Sequence, residues 1–319
     1  MEIANDMPVG AQETAPQTEP GAEMDTPRVK QPAAGAIRVP LEILLYVAFA
    51  ALALVLRLPD LGTIPLGDRE AHEALSAFRA ISTVPESQLL VAHNPMMFAA
   101  NVLIMSVVGG DTGTARLATA IVGFLLVLSP LLFRRWLRPT KTLIAVGLLA
   151  ISPVLLISSR SMGGSVWAMA AALAGVYCAV RFAESRNVNF ALVASAAFAL
   201  TVLMAESAGF VIVLGLAAGL IFAVAARDVP DNRFCRVVVE TLGGWPWLRG
   251  LIAAAVGVGL VGTVFMFYPR GLSGLGDVLG QALNGFISRP AGYPFAFPLL
   301  ASILYEPVLW VFGLVVEEL

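Results

Sequence analysis

Apolar residues in this chain come in long runs separated by short polar breaks. The runs cover about 41–57, 94–108, 115–133, 142–158, 165–183, 189–205, 207–226, 250–268 and 297–316. Most approach the roughly 20 apolar residues that match the hydrocarbon core of a bilayer. Their number and length predict an all-α fold, a polytopic transmembrane helix bundle. The run at 94–108 is the short one, and runs of that length suit interfacial or re-entrant segments.

Charge decides how the short run is read. If every run crossed, Arg134, Arg135, Arg138 and Lys141 would lie outside, against the excess of Lys and Arg in inner loops. With 94–108 held against the outer side of the membrane, about eight spans remain. Arg134 to Lys141, Arg181, Arg186, Arg227, Arg233, Arg236 and Arg249 then sort to the inside. The outside receives a long first loop (58–114), a short loop at 159–164, a tight turn at Glu206 and a last loop at 269–296.

Two outer loops hold amphipathic stretches. From Asp68 to Ser82, Ala71, Ala74, Leu75, Phe78 and Ile81 recur at helical spacing. Arg69, Glu70, His72, Glu73, Ser76 and Arg79 occupy the other side. A helix of this kind is expected to lie in the membrane interface, apolar side down. Leu275, Val278, Leu279, Ala282, Leu283 and Phe286 predict a second one in the last loop.

Composition narrows the class. The chain is 58% hydrophobic and 13% charged, against roughly 25% charged residues in soluble domains. It has no basic face for nucleic acid. Residues 1–38, rich in Pro, Glu, Ala and Thr, read as a disordered cytoplasmic tail that has nothing to bury. Arg28, Lys30 and Arg38 flank the first run as inner residues do. Residues 39–319 read as one transmembrane domain. The last run ends directly in Glu317-Glu318-Leu319, and the domain is expected to continue in a longer protein. Cys178 and Cys235 fall at different depths and predict no disulfide framework.

The densest chemistry lies in Pro65–Leu75, where three acids, one Arg and one His fall between Asp68 and Glu73. Asp68 at the mouth of a bundle suits a general base acting on a hydroxyl. It equally suits the N-cap of the helix that begins there, although Ala71 provides no capping-box acid. Asp68 and His72 are four apart and share a face, whereas Glu70 and His72 do not. Asp68, His72 and His93 offer ligand types for a divalent metal; the alternative puts His72 on a solvated polar face. Arg69 and Glu73 suit a surface pair. Arg160, between two runs, suits either snorkelling to the interface or a bidentate phosphate clamp. Arg270 and Arg289 are weaker candidates of the same kind. Glu306 lies inside the last run, before the helix-kinking Pro307, and should face the bundle interior or a wet cavity.

The order of these motifs resembles the GT-C superfamily of membrane glycosyltransferases. The matching residues are Gly67-Asp68-Arg69-Glu70-Ala71-His72, His93-Asn94-Pro95, Gly110-Asp111-Thr112-Gly113-Thr114-Ala115-Arg116-Leu117, Arg134-Arg135, Ser152-Pro153 with Ser159-Arg160, and Tyr305-Glu306-Pro307. The set is most similar to the flippase-activity-associated branch, relatives of the dolichyl-phosphate-mannose protein mannosyltransferases, over about 40–319. Two features depart from the pattern. Arg69 separates Asp68 from Glu70 where the family has adjacent acids, and no acid follows Ser159-Arg160.

The resemblance implies a multi-pass enzyme of the plasma membrane that uses a polyprenyl-phosphate-linked sugar. The sugar would pass with inversion to a glycan or protein hydroxyl at the outer face. Asp68 and Glu70 would be its catalytic acids. His72, His93, Arg160 and Glu306 would contact substrate, and no cofactor is required beyond an optional divalent metal. The missing acid favours a second reading, a non-catalytic relative that binds or helps translocate lipid-linked glycans. A secondary transporter fits less well, because paired broken helices in two halves are not visible.

Overall fold

The first apolar run forms one helix with the boundaries its composition sets. In the structure, a computed structural model, α1 spans Leu41–Arg57. The structure describes residues 41–82, 94–204, 215–221, 233–263 and a few isolated positions beyond. Among these residues there are only helices, turns and coil. The predicted tail lies outside the described residues, as do the second amphipathic helix and the last run apart from isolated positions.

After α1 come α2 (Asp68–Ile81), α3 (Pro95–Val108) and α4 (Thr112–Leu128). Asp111 caps α4 reciprocally: Thr114 N–H donates to its Oδ1 at 2.6 Å, and its own N–H donates to Thr114 Oγ1 at 2.8 Å. A 3-10 turn (Ser129–Phe133) and α5 (Arg134–Leu137) prolong α4 into a helical rod over Thr112–Leu137, 26 residues and about 39 Å at 1.5 Å per residue. It is long enough to cross a bilayer.

The run at 142–158 does not make one straight helix. It forms α6 (Pro139–Ile151) and α7 (Pro153–Arg160), bent by 56° at Ser152. Pro153 has no N–H to give Leu149 O, so the ladder breaks there. Ser152 starts the new helix by accepting from Leu155 N–H at 3.2 Å. Arg57, fully buried, fills the gap: its Nη2 donates to Leu149 O at 3.1 Å and its Nη1 to Ala150 O at 3.2 Å. The end of one helix thus caps the break in another.

Next follow α8 (Gly164–Ser185) and α9 (Val188–Met204), a hairpin turned at Arg186 in the left-handed region. The helix α10 is described over 215–221. The expected inner loop at 227–249 contains a helix that the apolar runs did not indicate, α11 (Arg233–Gly243). It meets α12 (Trp247–Gly262) at 82°, so it lies across the helix ends rather than along them.

Among the described residues, two helices have the length and composition to cross a membrane, and four if each bent pair is one span. The described residues are thus helical, with helices of the length and composition that membrane spans have. α3, at 14 residues or about 21 Å, is too short to cross alone. It packs instead against α2, α4 and α12.

α4 is the central element, packed against α1, α3, α6, α7 and α8. Small residues let its neighbours approach: a Cβ added at Gly123 would sit 2.2 Å from Ser159 Cβ of α7. α9 packs between α8 and α12. One apolar core joins α2, α3, α4 and α8 through Ala77, Met97, Phe98, Ala115 and Trp167; a second joins α1, α4, α6 and α8 through Ala53, Val127, Val146 and Val166.

Candidate functional site

The two ends of this bundle differ in what their arginines do. At one end, three arginines bind backbone carbonyls, and two of them, Arg116 and Arg160, hold the loop that leads from α1 into α2. Arg116, one turn into α4 and 5% exposed, is the centre. Its Nη1 donates to Leu61 O at 2.9 Å and Ile64 O at 2.7 Å, and its Nη2 to Pro65 O at 3.1 Å. The same Nη2 pairs with Glu70 Oε2 at 2.6 Å. Arg160 donates to Leu56 O at 2.8 Å and to Asp60 O at 3.4 Å, and Arg57 holds the α6 break as above.

Glu70 joins three segments. Its Oε2 also accepts from Gly67 N–H at 3.2 Å, and its Oε1 accepts from Met162 N–H at 2.7 Å. One carboxylate therefore closes the first turn of α2, anchors it to α4 and ties it to the link between α7 and α8. Burial works against the charged form of Glu70. The hydrogen bonds from Arg116, Met162 and Gly67 outweigh it and hold the carboxyl below the usual glutamate value.

This arrangement corrects the capping reading. Gly67, not Asp68, is the N-cap of α2, and Glu70 at the third helical position reaches back to its N–H. The capping acid is there, one residue earlier than the register counted from Asp68. Asp68 becomes the first helical residue. Its side chain is exposed and makes no hydrogen bond or ion pair among the described residues. Among the described residues, this exposed carboxylate on a clamped helix start is the acid of the cluster left open to a ligand.

The other candidates divide. His72 lies one turn after Asp68, half-buried. Arg160 is half-buried and commits part of its guanidinium to backbone carbonyls, leaving its remaining N–H groups for other acceptors. Glu73, expected on a solvated face, is buried at 4% exposure. His93, Glu206, Arg270, Arg289 and Glu306 lie outside the described residues. Among the described residues no three His, Cys, Asp or Glu side chains converge as metal ligands would.

α2 buries one side against protein and leaves most of the expected apolar stripe exposed. Its buried side is Glu73, Ala74, Ser76 and Ala77, turned to α3. Leu75, Phe78 and Ile81 stay exposed at 40%, 45% and 36%. α2 therefore presents one face to protein and leaves an apolar stripe open beside Asp68.

Arg57 and Arg116 carry most of this geometry, and neither stood out as a site residue. Each sits near the end of an apolar stretch, where a flanking cation is unremarkable. The available signal was their position inside a helix rather than beyond it. A buried guanidinium there must find acceptors, and loop carbonyls are the nearest.

The fold and this end of it define a helical bundle, with helices long and apolar enough to cross a membrane and a braced, carboxylate-bearing loop at one end. No family of known proteins matches the chain, and neither does any curated protein.

Proposed function

We propose that this chain is a membrane glycosyltransferase of the kind that takes sugar from a polyprenyl-phosphate carrier. The observation that supports it is the state of Asp68: exposed, without a partner among the described residues, and fixed at the start of a helix braced by Arg116, Glu70 and the Met162 N–H. A carboxylate acting as general base must be ionised, reachable and held in place. Asp68 takes the proton of an acceptor hydroxyl, whose oxygen attacks the anomeric carbon from the face opposite the phosphate. The carbon–oxygen bond to polyprenyl phosphate breaks and the carrier leaves with its charge. The unused N–H groups of Arg160 stabilise that charge. The exposed stripe Leu75, Phe78 and Ile81 offers the apolar contact that an isoprenoid chain needs. Glu70, with its oxygens committed to three segments, positions Asp68 instead of moving protons.

The proposal includes the eight-span arrangement, a plasma-membrane location and an outer-face site. The contacts fit it in one respect: the braced loop and the stretch Arg134–Lys141 lie at opposite ends of the same 26-residue rod. A second reading, a non-catalytic protein that binds lipid-linked glycans, is favoured by one observation. The second acid, Glu70, is already ion-paired, and Ser161-Met162-Gly163-Gly164 adds none.

Reconstitution separates the two. Proteoliposomes containing the chain, given a polyprenyl-phosphate-linked mannose and a hydroxyl acceptor, should yield mannosylated acceptor and free polyprenyl phosphate. Donor binding without product would support the binding reading instead.

A further inference from the structure

The end of the bundle away from Glu70 carries a second charged region that sugar transfer does not use. Arg134, Arg135, Arg138 and Lys141 follow α4 closely in sequence. Arg134 pairs with Glu42 at 2.8 Å, and Arg135 and Arg181 each lie 3.7 Å from Glu184. The side chains of Arg138 and Lys141 have no acid and no hydrogen-bond acceptor among the described residues.

Their surroundings mark a membrane boundary. Phe133, Trp136 and Tyr177 form a cluster with ring centroids 5.8, 5.9 and 6.1 Å apart. Trp136 donates from its ring nitrogen to Glu184 at 2.8 Å. Leu41, Leu44 and Leu132 are exposed at 69%, 58% and 54%. Cations and aromatic rings at the end of an apolar surface are what the headgroup layer selects.

The backbone of Arg138 gives an independent reason. It has φ 65 and ψ 155, a region essentially reserved for glycine. Its neighbours hold it there. Thr142 donates its N–H at 3.1 Å and its hydroxyl at 2.8 Å to Arg138 O, and Tyr46 donates its hydroxyl to Pro139 O at 3.1 Å. Glycine would adopt this conformation without strain. An arginine here adds a side chain at the cost of strain that glycine would not carry.

We propose that Arg138 and Lys141, with the 70%-exposed Arg135 beside them, bind the phosphate of an anionic phospholipid. The acyl chains of that lipid lie along Leu132 and the first turn of α1. The site needs no glycosyltransferase activity and stands or falls apart from it.

Native mass spectrometry of the purified full chain tests this, with titration by phosphatidylglycerol, phosphatidylcholine and inorganic phosphate. Phosphatidylglycerol should bind in preference to phosphatidylcholine. R138G and K141A should each weaken it about fivefold, the effect of one interfacial cation, and R138K should retain it. In phosphatidylcholine, R138G should melt at the same temperature as the parent or higher, since the strain is gone. Unchanged phosphatidylglycerol binding in R138G and K141A would overturn the proposal. So would a lower melting temperature of R138G, which would make Arg138 a structural residue. Displacement of phosphatidylglycerol by inorganic phosphate would reduce the site to one for free anions and overturn the lipid assignment.

Discussion

Glu70 is the residue on which the geometry around Asp68 depends. Its carboxylate accepts from Arg116, Gly67 and Met162, so three segments lose a partner if it is neutralised. Its folded value lies below the ordinary 4.5. Stability from Glu70 is therefore complete above the ordinary value and is lost as pH falls through the folded one. E70Q should lower the melting temperature at neutral pH and flatten the acid side of the stability profile; an unchanged acid side would show that another carboxyl controls it. The sequence marked this stretch because its charges are dense in an apolar chain. It did not reveal which acid is free, because that depends on Arg116, which lies 46 residues further on and folds back onto Glu70.

At the scale of elements, the apolar runs located α1, α4, α8 and α9 well, since burial in lipid or protein favours one continuous helix in each. They failed where a backbone effect interrupts an apolar run. Pro153 divides 142–158, and hydropathy does not register a missing N–H. They also missed α11, a short amphipathic helix within a charged stretch, whose apolar residues never form a long run. Arg57 and Pro153 should be energetically coupled. R57L leaves Leu149 O and Ala150 O without their donor and should cost about 2 kcal/mol. In a P153A background the new N–H can reach Leu149 O, and the cost of R57L should fall by about 1 kcal/mol. Thermal unfolding of the two single variants and the double variant in detergent measures this. Equal costs in both backgrounds would mean that Arg57 does not cap the break.

At the scale of the whole molecule, the bundle has two unlike ends. One gathers backbone carbonyls around Arg57, Arg116 and Arg160. The other carries Arg134, Arg135, Arg138 and Lys141 among aromatic rings. The proposed topology puts the second end inside the cell. A cysteine at position 137, with Cys178 and Cys235 replaced, should be protected from an impermeant thiol reagent in intact cells, while one at position 67 should react. Reaction at 137 would invert the assignment and remove Asp68 from the outer face.

The central claim is that Asp68 is the base of a sugar transfer. The most direct measurement is the rate of mannose transfer from polyprenyl-phosphate mannose in proteoliposomes, comparing the parent chain with D68N. General-base catalysis contributes roughly 10²–10⁴-fold, so D68N should lose transfer by that factor while still binding the donor and melting at the parent temperature. Transfer at the parent rate in a correctly folded D68N protein would contradict the account.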